Sequence, residues 1–148
     1  MIPDSKIETW LREDLGHHDV TNEVPGETGG RLVAKEAGVV AGLAAARAVF
    51  EYLGVAVLDS AAAGDRIEAG DAVLEVEGSA REVLRGERVA VNVAGHASGV
   101  ATKTREAVDA ADAGSPEDVR VAGTRKTTPG LRGVEKRAVV AGGGDTHR

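Results

Sequence analysis

No cysteine occurs in the 148 residues, which rules out disulfides and thiolate metal sites and is neutral on redox compartment. No apolar run is long enough to span a membrane, and no basic-then-apolar leader opens the chain, so a soluble cytoplasmic protein is the expectation. Basic residues are outnumbered, 18 against 24 acidic ones. The resulting net charge of -6 argues against general nucleic-acid binding, which needs a basic face. Aromatic residues make up only 2%, lysine is scarce beside arginine, and Ala, Gly and Val dominate. An acidic, lysine-poor surface fits a salt-adapted source and an ordinary GC-rich genome equally well. No Walker-type loop, dinucleotide fingerprint, HExxH motif or nucleophile elbow is found, nor any internal repeat.

What is present suits one good core, or one small domain plus part of another. Ser5-Lys6-Ile7-Glu8 has the spacing of a capping box, with Ser5 expected as N-cap and Glu8 reaching back. Ile7, Trp10 and Leu11 share one face of the helix that follows, Trp10 is expected to be buried, and Gly16 is its stop. His17-His18-Asp19 contains metal-ligand residue types. Adjacent histidines point apart on a strand and lie about 100° apart on a helix, and no third ligand stands at metal spacing. A loop that packs or caps is the better reading, and the isolated His96 is also assigned a structural role.

Residues 31–37 and 39–41 read as strands divided and ended by Gly38 and Gly42. Leu43, Ala46, Phe50 and Leu53 form the stripe of an Ala-rich helix stopped at Gly54. Short strands are expected at residues 55–58 and 72–76, with turns between them at residues 64–71. Helices mixed with antiparallel strands predict an α+β sandwich. The Gly-Asp turns also resemble those of biotinyl and lipoyl carrier domains. A carrier needs an exposed lysine at a hairpin tip, and none lies between Lys35 and Lys103. From about residue 85 to 113 the pattern is helical, with Val89, Val93, Ala97, Val100, Thr104 and Val108 on or near one face. Within it, Ser98-Gly99 is expected to allow close helix packing.

The last quarter gathers the positive charge. A short strand over residues 119–122 is expected to end at Gly123 and run into Thr124-Arg125-Lys126-Thr127-Thr128-Pro129-Gly130. Arg125 offers a planar fork that matches a carboxylate or phosphate, Lys126 a compact point charge, and the threonines hydroxyl donors. Pro129-Gly130 turns the chain into a helix expected over residues 131–141, after which Gly142-Gly143-Gly144 lets backbone approach an anion or forms a flexible tail. Taken alone, the cluster is equally a solvated basic turn.

Thr124-Arg125-Lys126-Thr127-Thr128-Pro129-Gly130-Leu131, Glu135-Lys136, Ala138-Val139, Gly142-Gly143-Gly144 and His147-Arg148 together resemble the quinolinate phosphoribosyltransferase family. Upstream, residues 13–21, 87–92 and 98–102 resemble its other signatures. The resemblance implies an α+β N-terminal sandwich over residues 1–98, followed at 99–148 by the opening part of an α/β barrel. It implies an enzyme that joins quinolinate to phosphoribosyl pyrophosphate, giving nicotinate mononucleotide, carbon dioxide and pyrophosphate in NAD biosynthesis. By position it implies that Arg88, Arg125 and Arg148 clamp quinolinate, that Thr124 and His147 assist, and that Lys126 lies near quinolinate or the phosphates. It further implies Mg2+ on the pyrophosphate, with ligands outside this chain, and a homodimer or higher homo-oligomer in which Arg88 reaches the neighbouring subunit's site.

The chain departs from the family pattern at His18, where glycine is expected, at Gly123, where aspartate is expected, and at Val140, where a basic residue is common. The family's barrel continues well past the equivalent of Arg148, so a partial chain is expected, with residues 31–76 better packed than 119–148. The competing readings are a non-catalytic dimerisation fragment and a related pyrophosphorylase-like protein acting on another base.

Overall fold

A computed structural model describes residues 1–16 and 24–146. The first helix, α1 (Asp4–Leu15), buries Ile7 and Leu11, while Trp10 is only partly buried. Gly16 does end it, its N–H bonding back to Arg12. Ser5, however, is not its cap. The helix begins one residue earlier behind Pro3, whose extended backbone (φ -70°, ψ 146°) serves as N-cap without a side-chain bond. Ser5 is therefore already helical and cannot close a capping box. The same Ser-x-x-Glu spelling recurs at Ser79-Ala80-Arg81-Glu82, and there it works: the Ser79 hydroxyl accepts the Glu82 N–H at 3.2 Å. That cap starts the long helix earlier than the apolar stripe alone predicts.

Among the described residues five strands follow α1: β1 (Glu27–Val33), β2 (Gly38–Val39), β3 (Ala56–Ser60), β4 (Arg66–Ile67) and β5 (Ala72–Ser79). β1, β5 and β3 form an antiparallel sheet in that order, and β2 pairs antiparallel with β4. The expected strand at 31–37 is displaced to begin at Glu27. Along β1 exposed residues alternate with half-buried ones, as one open face and one facing the core require. The helix α2 (Leu43–Tyr52) lies where its stripe predicts. Its entry needs Gly42, which has φ +76° and whose added Cβ would fall 2.7 Å from the Ala97 side chain.

The helix α3 (Ala80–Gly114) is the spine. Its 35 residues extend about 52 Å at 1.5 Å per residue. Val83, Val89, Ala90, Val93, Ala94, Ala97 and Ala101 are buried along it at helical spacing. Its N-terminal half faces the sheet and Phe50, while residues 89–101 also face α1 and the last helix, α4 (Arg132–Ala141). Small residues along the spine let these neighbours approach. No helix among the described residues is long and apolar enough to cross a membrane.

Two expectations about the last quarter need correcting. Among the described residues, 119–122 form no strand; one parallel bridge, Ala122 to Asp145, is all that pairs there. A strand needs a run of ladder partners, and Asp145 is the one supplied. Residues 31–76 supply more of the core than 119–148, as expected, yet α4 is docked: Val134 and Ala138 are buried in the same cluster as Ile7, Leu11 and Val93. The triple glycine is the means of that docking and not a flexible tail. A Cβ on Gly142 would lie 2.3 Å from the Ala101 carbonyl, and one on Gly144 would lie 2.9 Å from Thr104.

Candidate anion-binding site

The site is built where two backbone segments run side by side beneath α4. Asp145 donates its N–H to Val121 O, and Gly123 donates to Asp145 O, both at 2.8 Å. On the outer side Arg120 pairs with the Asp145 carboxylate at 2.8 Å. Immediately after this junction the Thr124 hydroxyl accepts the Lys126 N–H at 3.2 Å, so the chain bends and presents Arg125 and Lys126 outward.

The first turns of α4 hold the bend from behind. Arg132 donates to Thr127 Oγ1 at 3.4 Å and to Arg125 O at 3.3 Å. Glu135 accepts the Thr128 N–H at 3.1 Å, and its other oxygen meets His96 Nε2 at 2.9 Å. Hydrogen bonding from Thr128 is the main cause holding this carboxyl below its ordinary range, opposed by burial and helped by His96. His96 thus has the structural role expected of it, as a tie between α3 and α4.

Lys136 is buried, 9% exposed, and its ammonium donates to Thr124 O and, at 2.8 Å, to Thr146 O. A cleft of about 600 Å³ opens beside it, walled by Gly123, Thr124, Lys126, Thr127 and Lys136 over the apolar Val100 and Val139. Glu135 also borders the cleft, but its oxygens are engaged by Thr128 and His96. Two lysines, the Thr124 and Thr127 hydroxyls and a glycine backbone suit an anion. Among the described residues neither Arg125 nor Lys126 has a carboxylate partner for its side chain.

Thr124 and Lys126 therefore share one cleft, with Arg125 exposed on the loop between them. Arg88 is elsewhere, 72% exposed on α3 and 3.8 Å from Asp14. It precedes the cleft residue Val100 by twelve positions, about 18 Å along the helix. His147 and Arg148 lie outside the described residues, as do His17, His18 and Asp19. Thr146, the neighbour of His147, is held beside Thr124 by Lys136.

Gly123, the unexpected glycine, stands at the crossing of the two segments. A Cβ there would fall 2.7 Å from Thr146 O, so this crossing needs the glycine as it stands. Val140 is exposed at 51%, on the outside of α4. Among the described residues no group of three or more His, Asp or Glu stands together as a metal site. Lys136 and Glu135 were legible only as members of a motif. Their places in the site come from the fold.

Residues 19–98 match the family model of the quinolinate phosphoribosyl transferase N-terminal domain, and residues 100–148 match that of its C-terminal domain. The probable nicotinate-nucleotide pyrophosphorylase [carboxylating] of Methanothermobacter thermautotrophicus is 41% identical over 146 residues, covering 96% of this chain and 52% of that protein. The human nicotinate-nucleotide pyrophosphorylase [carboxylating] is 40% identical over 144 residues, covering 96% of this chain and 48% of its own. The crystal structure of NadC from Streptococcus pyogenes superposes with a TM-score of 0.88 at 41% identity, covering 98% of this chain and 54% of that one. The chain thus spans about half the length of the curated relatives it matches. With both domain models matched in order along most of its length, the chain belongs to the quinolinate phosphoribosyltransferase family.

Proposed function

We propose that this chain carries the quinolinate-binding portion of a quinolinate phosphoribosyltransferase, a cytoplasmic enzyme of NAD biosynthesis. The reaction joins quinolinate to phosphoribosyl pyrophosphate and releases nicotinate mononucleotide, carbon dioxide and pyrophosphate. The observation that carries this reading is the cleft lined by Thr124, Lys126 and Lys136, beside an Arg125 that has no carboxylate partner among the described residues. Quinolinate bears two adjacent ring carboxylates, and a guanidinium fork can take one of them bidentately. Arg125 is assigned that role, with Thr124 assisting and Lys126 beside quinolinate or the phosphates. His147 and Arg148 follow Thr146 and complete the clamp in this reading. Magnesium enters with the pyrophosphate and takes its protein ligands from outside the described residues.

Positioning and charge neutralisation dominate such a transfer, because the ribosyl carbon becomes cation-like as pyrophosphate leaves. The reading also makes the active unit a homodimer or higher homo-oligomer, with Arg88 serving a neighbouring subunit. Its distance from the Thr124–Lys126 bend along α3 supports a role outside this cleft.

Titration calorimetry of the 148-residue chain with quinolinate tests the proposal. Wild type should bind, and Arg125→Ala should weaken binding by about 1 kcal/mol, as expected for losing an ion pair made by an exposed arginine. Arg125→Lys should recover only part of that loss, because it keeps the charge but not the fork. Equal affinity in all three proteins would reduce the cluster to a solvated basic turn. The other reading, a non-catalytic dimerisation fragment, draws on the exposed Leu84 and Val91 of α3. It predicts self-association in sedimentation without quinolinate binding.

A further inference from the structure

We propose that Lys136 is a positioning residue for this site, acting as a cationic clasp that fixes Thr124 against Thr146 and so holds the Thr124–Lys126 bend in place. The proposal rests on the reading of residues 124–126 as an anion-binding segment. Its own support is independent of that reading.

A lysine is the side chain least expected at a buried position, since burial strips water from the ammonium without returning anything unless partners are built in. Lys136 is 9% exposed, and the partners it has are both backbone carbonyls, Thr124 O and Thr146 O. No carboxylate among the described residues is paired with it. A salt-bridged lysine would be neutralised locally; this one leaves its positive charge at the edge of the cleft it lines. The carbonyls it grips belong to residues 22 apart in sequence and adjoin Arg125 on one side and His147 on the other.

Little else joins the two segments. Among the described residues, the two backbone bonds through Asp145 run between them, and beyond these only the exposed pair of Arg120 with Asp145. A single bridge does not fix the angle between two chain segments, so the clasp supplies a third point of attachment, closer to the bend than either backbone bond. Gly123 makes that attachment possible. A Cβ at this residue would sit 2.7 Å from Thr146 O and 3.3 Å from the Lys136 ammonium, pushing apart the groups the clasp unites.

Two variants of the 148-residue chain test this. Lys136→Met removes the ammonium while keeping an unbranched side chain, and Gly123→Ala forces Thr146 O away while leaving the charge. Amide exchange followed by NMR should quicken at least tenfold at Asp145 in both variants, with the Ala41 amide in the remote β2–α3 contact unchanged. The dissociation constant for quinolinate should rise at least tenfold in both. Unchanged exchange at Asp145 in either folded variant would overturn the clasp. Faster exchange with unchanged quinolinate affinity would make Lys136 merely structural and overturn its positioning role. Weakened affinity in Lys136→Met but not in Gly123→Ala would mean that charge acts without position, and would also overturn it. Should Lys136→Met fail to fold, Gly123→Ala carries the test. If wild type does not bind quinolinate, the proposed substrate falls, and the exchange arm still decides whether the clasp exists.

Discussion

Ser98 and Ala41 are joined twice: the Ser98 hydroxyl accepts the Ala41 N–H at 3.0 Å and donates to the Ala41 carbonyl at 3.2 Å. One turn on along α3, the Thr102 hydroxyl does the same with Val39, at 2.9 and 3.3 Å. Two helix side chains thereby stand in for a missing strand, meeting backbone groups of the β2 segment that β4 does not reach. Val39 and Ala41 are both buried, so water is a poor substitute there.

Removing either hydroxyl strands a buried donor and acceptor. Ser98→Ala should cost about 1–3 kcal/mol, the desolvation penalty of an unsatisfied buried polar group. Urea unfolding would show it as a lower midpoint at unchanged slope. Thr102→Val, which keeps the shape and loses the hydroxyl, should behave alike. Midpoints equal to wild type would mean that the hydroxyls contribute nothing net.

Two glycines, Gly99 within α3 and Gly142 at the end of α4, should respond in opposite directions. Gly99 is exposed on α3 and an added Cβ would touch nothing within 4 Å. Gly99→Ala should therefore stabilise the isolated chain by about 0.5–1 kcal/mol, the helix-interior difference between the two residues. This revises the expectation that Ser98-Gly99 acts as a unit in close packing: Ser98 makes contact and Gly99 does not. Gly142→Ala should destabilise by about 1–3 kcal/mol, since its Cβ would meet the Ala101 carbonyl at 2.3 Å and α4 must shift. Thermal unfolding of the two variants, run side by side, would check the signs.

How much of this was readable follows from where each signal originates. α2 and α4 carry apolar stripes of helical period and an end signal, so their bounds come within a residue or two of those expected. The two Ser-x-x-Glu spellings are locally equivalent, and only the chain's path at Pro3 decides that Ser5 lies inside its helix while Ser79 caps. Residues 119–122 have strand composition, yet pairing belongs to the partner, and Asp145 supplies a single bridge. Lys136 shows the limit most sharply. It is two residues from both Val134 and Ala138, about 200° around the helix from each, on what periodicity assigns to solvent. It is buried because backbone from residues 124 and 146 closes over that side. The motif containing Arg125 and Lys126 was legible because chemistry and order were written together in one stretch. The groups that shape it are dispersed over α3, α4 and the segment at 144–146.

The last prediction concerns acid. Glu135 is the carboxylate that ties the Thr128 backbone and His96 to α4, and its pKa lies below the ordinary 4.5 chiefly because Thr128 donates to it. A depressed folded-state pKa means that the charged form is favoured by folding. Its stabilisation is therefore fully present above the unfolded value and is lost as pH falls from about 4.5 through the lower folded value. Glu135→Gln lacks the charge at every pH, so it should be less stable than wild type at pH 7. The gap between the two melting temperatures should close as pH is lowered below 4.5. Glu135→Met, which has no acceptor oxygen, should free the Thr128 amide, so faster exchange at Thr128 at pH 7 is its local signature. A gap that stayed constant down to strong acid would show that the carboxylate's charge plays no part in docking the loop, leaving only the shape of its side chain.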